Sequence, residues 1–176
     1  MREFSPHLVM VHRPNDYHPD HRYTSQLVQD ASYMLTVPNV VARVPHLPHM
    51  LVIAYTWDRF QKPIPFQPDV VISIDHVIEQ KVDALHCHVS QMYEWLPYNG
   101  GYLQEVPADA GERRAWLRQR LDGRFRRIAD LYRDILIHLY GEERGRQVQY
   151  AEAFEGCEYS ASLAAENMKT FFPFLP

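Results

Sequence analysis

The sequence predicts an α/β fold built on a parallel sheet. Three observations predict it. Short apolar runs bounded by turn residues read as strands buried on both faces: Leu8-Val9-Met10-Val11, Met50-Leu51-Val52-Ile53-Ala54-Tyr55 and Asp69-Val70-Val71-Ile72-Ser73-Ile74-Asp75. Stretches with apolar residues spaced three and four apart follow these runs and read as helices. The richest polar segment, Arg13 to Arg22, follows directly on the first apolar run. That is where open α/β sheets place their ligand sites.

The elements follow in order. The first strand covers residues 7–12 and breaks at Pro14 and Pro19, which forbid regular pairing. Asp20 or the residues just before it can cap a helix over 21–33, with Leu27, Ala31 and Met34 as its apolar stripe. Six prolines between Pro38 and Pro68 flank the second strand and mark long, restricted loops of the kind that wall functional sites. After the third strand Asp75 can cap a helix whose Ile78, Leu85 and Val89 face inward. Tyr98-Asn99-Gly100-Gly101-Tyr102 is a turn. Asp109 then opens the longest helix, to about Tyr140, with a buried stripe from Leu117 through Leu121, Phe125, Ile128, Tyr132 and Ile135 to Leu139. Gly141 ends it as a C-cap. Residues 142–148 can add a turn or two, 149–154 can form a last strand, and the end of the chain is apolar without period. The expected organisation is one domain over 1–160 and a tail over 161–176.

Composition narrows the function classes. The chain has 176 residues and a formal net charge of -4. Nothing there favours nucleic acid or an anionic membrane surface. The arginines of the long helix alternate with Asp122, Asp130 and Asp134, as on a solvated face. Cys87 and Cys157 are the only cysteines and form no metal-binding or disulfide pattern. No apolar run approaches a membrane span, and the N-terminus carries no signal-peptide core. The expected setting is soluble and cytoplasmic.

The loop from Arg13 to Arg22 concentrates two histidines, two aspartates, an asparagine, a tyrosine and two arginines. Packing alone does not call for that density. Hydrolytic zinc sites use imidazole and carboxylate ligands and keep one position open for water. A His-x-x-His spacing in a proline-bent loop can bring His18 and His21 to one side of a cavity. One can ligate metal while the other, protonated, faces a developing oxyanion. Asp20 can fix an imidazole tautomer, Asp16 can hold loop amides, and Arg13 or Arg22 can hold an anionic group.

This loop, read as Arg13-Pro14-Asn15-Asp16-Tyr17-His18-Pro19-Asp20-His21-Arg22, resembles the second signature of the PIG-L/LmbE-like zinc-dependent deacetylases. The resemblance continues through Val28-Gln29-Asp30-Ala31, through Pro68-Asp69-Val70-Val71 with Ile74-Asp75, and through Lys81, Ala84-Leu85 and His88-Val89-Ser90-Gln91, over about residues 5–160. It implies a Rossmann-like fold and hydrolysis of N-acetyl groups on sugar-containing substrates. It implies His21 as the zinc ligand from this motif. His18 would stabilise the oxyanion or protonate the leaving amine, with Asp20 orienting it. Arg13, Asp16, Tyr17 and His88 would line the substrate. The family's other signature, His-Pro-Asp-Asp, supplies two further zinc ligands and the general base, and it does not occur here. The chain is therefore expected to be the C-terminal portion of the fold, with an incomplete zinc site and no catalysis of its own. A sheet edge bared by the missing half would favour homo-oligomers. The alternative is a non-catalytic relative that binds a sugar or a partner protein. Tyr93, Trp95, Tyr98 and Tyr102 could form a wall for sugar stacking or plain core and rim.

Overall fold

The computed structural model describes residues 1–163 and 165–176, with the side chains of all of these except 165 and 166. The chain forms two compact units, residues 1–71 with 153–176, and residues 72–152. No helix among the described residues is long and apolar enough to cross a membrane.

The first unit is organised on strands β1 (Leu8–Val11) and β2 (Val52–Thr56). They pair in parallel, Leu8 against Val52 through Val11 against Tyr55. The other two strands are β3 (Val70–Ser73) and β4 (Ala151–Gly156), and the four-stranded order is β1-β2-β4-β3. β4 runs antiparallel to β2, with Ala54 opposite Gly156 and Thr56 opposite Phe154. The sheet is thus mixed, not parallel as expected, because the last strand returns to pair with β2. β2 is buried over Val52–Tyr55, as a central strand should be. β1 ends the sheet, and its Met10 is exposed, so the expectation of burial on both faces fails there. The core joins Val11, Leu35, Leu47, Leu51, Ile53, Tyr55 and Cys157. Tyr55 donates its hydroxyl hydrogen to Cys157 Sγ at 3.0 Å, and burial raises the phenol's pKa. The end of the chain joins this unit. Phe172 and Leu175 are buried, and the Phe172 ring lies 5.8 Å from that of Phe154.

Helix α1 (Pro19–Met34) begins two residues earlier than expected. Pro19 fixes the first helical φ, so His18 is the N-cap, and its Nδ1 accepts the Asp20 N–H at 3.3 Å. At the other end Arg2 donates to the carbonyls of Met34 at 2.6 Å, Leu35 at 3.0 Å and Val37 at 2.7 Å. A cation there satisfies orphan carbonyls and opposes the helix dipole. The orientation reverses the expected one. Leu27 is 69% and Met34 48% exposed, while Ser25, Gln29 and Ser32 face inward. The inward polar groups are satisfied. Gln29 Nε2 donates to Ser25 Oγ at 3.0 Å, and the Ser32 hydroxyl lies 2.7 Å from the Gln29 carbonyl and 3.0 Å from that of Tyr159. Hydrogen bonding makes such burial affordable.

The second unit holds helices α2 (Ile78–His86), α3 (Leu96–Asn99), α4 (Ala110–Leu131), α5 (Arg133–Tyr140) and α6 (Glu142–Gln147), and one more, α7 (Ala165–Phe171), closes the chain in the first unit. A π-helical turn, Ser90–Trp95, lies between α2 and α3. Asp75 does not cap α2. Its carboxylate instead accepts the Gln149 and Tyr150 N–H groups at 3.1 and 2.7 Å. Val89 is exposed, not inward. Asp109 does cap α4, accepting from Gly111 at 2.8 Å and Glu112 at 3.2 Å. The single long helix expected to Tyr140 breaks at Tyr132, whose φ of −117° and ψ of 31° leave the helical region. Leu117, Phe125 and Ile128 are buried as the stripe requires, but past the break the buried positions are Leu136 and Tyr140 instead of Ile135 and Leu139. Gly141, at φ 84°, ends α5 where a side chain would be strained. The off-stripe arginines form a ladder: Arg114 to Glu79 and Asp83, Arg118 to Glu79 and Asp122, and Arg126 to Asp122.

Candidate functional site

The site is built at the C-terminal end of β1. The loop after the strand turns back on itself, the Asp16 N–H donating to the Arg13 carbonyl at 3.3 Å. Arg22, on α1, donates to the carbonyls of Asp16 and Tyr17 at 2.9 and 2.7 Å. Asp16 is the organiser. Its Oδ1 accepts the His18 N–H at 3.0 Å and lies 2.9 Å from His21 Nδ1. A carboxylate partner fixes the proton on Nδ1, so His21 Nε2 is left as a lone-pair donor. That is the carboxylate–histidine pairing that prepares imidazole for a metal.

Three imidazoles meet here. The His18 and His21 ring centroids are 5.1 Å apart, and His12, at the end of β1, stands edge-on to His21 at 3.9 Å. The pKa of His12 is lowered, first by burial and then by His21, against the opposing pull of Asp16 and Asp58. Tyr17 lies 5.7 Å from both His18 and His21 and 6.0 Å from Phe60, and it is exposed.

Two expected roles change. Asp20 does not orient His18 through its carboxylate, which lies 3.9 Å from Nδ1 and points into solvent. The Asp20 backbone N–H holds that nitrogen instead. Arg13 is 3% exposed and fully engaged by the protein. It donates to Asp58 Oδ1 at 3.2 Å and to the carbonyls of Phe60 at 3.4 Å and Ile64 at 2.7 Å. Its Nε lies 3.2 Å from Glu155 Oε2, close enough for an ion pair but not aligned for a hydrogen bond. A guanidinium so enclosed holds the 58–64 loop in place. It has no face left for a ligand's anion. Asn15 adds bonds to the carbonyls of Lys62 and Ile64 at 3.3 and 3.4 Å. Burial raises the pKa of Glu155, with Arg13 pulling it back.

His88 is exposed and lies in the second unit, beyond the end of α2. His86, two residues earlier, is taken by the Tyr93 hydroxyl at 2.6 Å. Asp58, Phe60 and Glu155 are the members sequence reasoning missed. Asp58 sits two residues past the end of β2, so a search for polar groups beyond the C-terminal end of each parallel strand finds it. Glu155 comes in only through the antiparallel return of β4, which no local pattern announces.

Among the described residues no group of three or more histidines, cysteines, aspartates or glutamates could hold a metal ion. The residues present thus supply one prepared imidazole, short of the usual three-ligand set, and do not by themselves fit zinc.

The α/β class is shared with solved enzymes. The fold matches GalB, the 4-carboxy-2-hydroxymuconate hydratase from Pseudomonas putida KT2440, with a TM-score of 0.57 and 18% identity, over 88% of this chain and 53% of that one. It also matches N,N'-diacetylchitobiose deacetylase from Pyrococcus horikoshii, solved with its inhibitor MPG, with a TM-score of 0.53 and 20% identity, over 90% of this chain and 48% of that one. The chain therefore shares its fold with these two enzymes and spans about half the length of these solved chains. No family model matches it.

Proposed function

We propose that this chain carries the His18/His21 part of a zinc-dependent N-deacetylase site, acting on amides of N-acetylated, sugar-containing substrates. The observation that carries the reading is the 2.9 Å pairing of Asp16 with His21 Nδ1, which leaves Nε2 ready to ligate. His18, protonated, would donate to the amide oxygen as it gains charge, or to the leaving amine. Because the described residues do not complete a zinc set, no step is assigned to the metal. The likeness to a chitobiose deacetylase supports the reaction class only by analogy, since a hydratase shares the fold. The lack of a full ligand set favours a second reading, a non-catalytic relative that binds a sugar or a partner protein.

Zinc stoichiometry and amine release from N,N'-diacetylchitobiose separate the two. The chain alone should bind zinc weakly and release no amine. Joined to a segment bearing His-Pro-Asp-Asp, it should bind one zinc and hydrolyse the amide. His21→Ala should then remove both zinc and activity, and His18→Ala activity alone. Failure of the joined protein to bind zinc or cleave amide would leave the non-catalytic reading standing.

A further inference from the structure

The second unit carries an aromatic surface that the histidine loop does not use. A shallow, open cavity of about 350 Å³ is lined by Ser90, Glu94, Trp95, Tyr98 and Leu103. The volume lies at the lower end of the range for small-molecule sites and is small for a docked helix. Trp95 is 57% and Tyr98 68% exposed, and their rings lie near parallel, 29° apart with centroids 6.3 Å from each other. The neighbouring aromatics are spent on one another: Tyr93 and Tyr102 both pack against Trp116, and Arg120 stacks over Tyr102. Trp95 and Tyr98 instead pair with each other and stay largely exposed. They sit on the π-helical turn and on α3, and π-turns recur at functional positions.

We propose that this cavity is a saccharide platform. The exposed rings match the apolar C–H face of a pyranose, and Ser90 and Glu94 border the largely apolar cavity, where a hydroxyl and a carboxylate can meet sugar hydroxyls at its rim. Glu94 makes no ion pair among the described residues, so its oxygens are available to a ligand. Two near-parallel, exposed rings leave an open surface, whereas a quaternary ammonium calls for rings that enclose it. The platform belongs to the second unit and does not depend on the histidine loop being a hydrolytic site.

The test uses the full chain with Trp57→Phe and Trp116→Phe, so that Trp95 alone reports. N,N'-diacetylchitobiose, cellobiose and lactose are titrated while its emission and its quenching by iodide are followed. At least one should give a saturable blue shift and protection from quenching. In saturation-transfer NMR on the unaltered chain, Trp95→Ala and Tyr98→Ala should each weaken binding at least tenfold, and Glu94→Gln several-fold. The emission shift and the protection from quenching are read at Trp95 itself, which separates this platform from the proposed deacetylase site. Both aromatics are exposed, and an unchanged circular-dichroism melt shows that neither truncation unfolds the chain. No response to any of the three sugars overturns the proposal. So does binding undiminished in both aromatic variants, or a stronger response to tetramethylammonium than to every sugar.

Discussion

Helices α1 and α4 obey opposite rules. Helix α4 buries Leu117, Phe125 and Ile128 and spends its charges on an outer ladder of arginines and carboxylates. Helix α1 turns Ser25, Gln29 and Ser32 inward and shows Tyr23, Leu27 and Met34 to solvent. The same hydrophobic spacing thus means core in one helix and surface in the other. What differs is the polar chemistry around them. The inner face of α1 finds hydrogen-bond partners at every buried polar position, and the nearby loop is tied by a buried guanidinium. A run of exposed apolar side chains beside a terminal strand is a surface that invites a covering layer.

Four substitutions break or sharpen this contrast. Leu117→Glu places a charge in the buried stripe of α4 and should cost more than ~4 kcal/mol, seen as loss of the cooperative unfolding transition. Arg13→Ala leaves Asp58 and Glu155 facing each other without their cation and should cost about 3–5 kcal/mol in chemical denaturation. If it costs less than ~1 kcal/mol, the first unit is not held by its polar cluster. Asp122→Asn should cost about 1–2 kcal/mol, since that carboxylate accepts from Tyr150, Arg118 and Arg126 on a partly exposed face. Those bonds hold the Asp122 pKa well below the ordinary carboxylate value, Tyr150 contributing most. A depressed carboxylate stabilises the fold above its unfolded pKa, near 4, and the gain is lost as pH falls through the folded value. Melts between pH 5 and pH 2 should therefore fall less steeply in Asp122→Asn than in the parent. Leu27→Glu should change stability least, by within ~0.5 kcal/mol. It should also reduce the self-association expected of the parent in light scattering. A large stability loss there would show that the outer stripe of α1 is core after all.

The polar loop was legible because its residue types are too dense and too reactive for packing. Its two histidines do come together, 5.1 Å apart. Their roles were less legible. Asp16 and Asp20 stand equally well placed in sequence, and only the fold of the turn gives His21 to Asp16 and leaves the Asp20 carboxylate outside. Arg13 read as an anion holder because its neighbours were unknown. Asp58 lies 45 residues away and Glu155 much further.

By itself the sequence determined the four strands, the cap at Asp109, the stop at Gly141 and the place of the histidine loop. All of these rest on local periodicity, turn chemistry and residue type. Tertiary structure alone decided the antiparallel return of β4, the outward turn of the apolar stripe of α1 and the burial of Arg13. Each depends on partners distant in sequence. A helix with polar groups on one side and apolar groups on the other can face either way until hydrogen-bond partners fix its inner side.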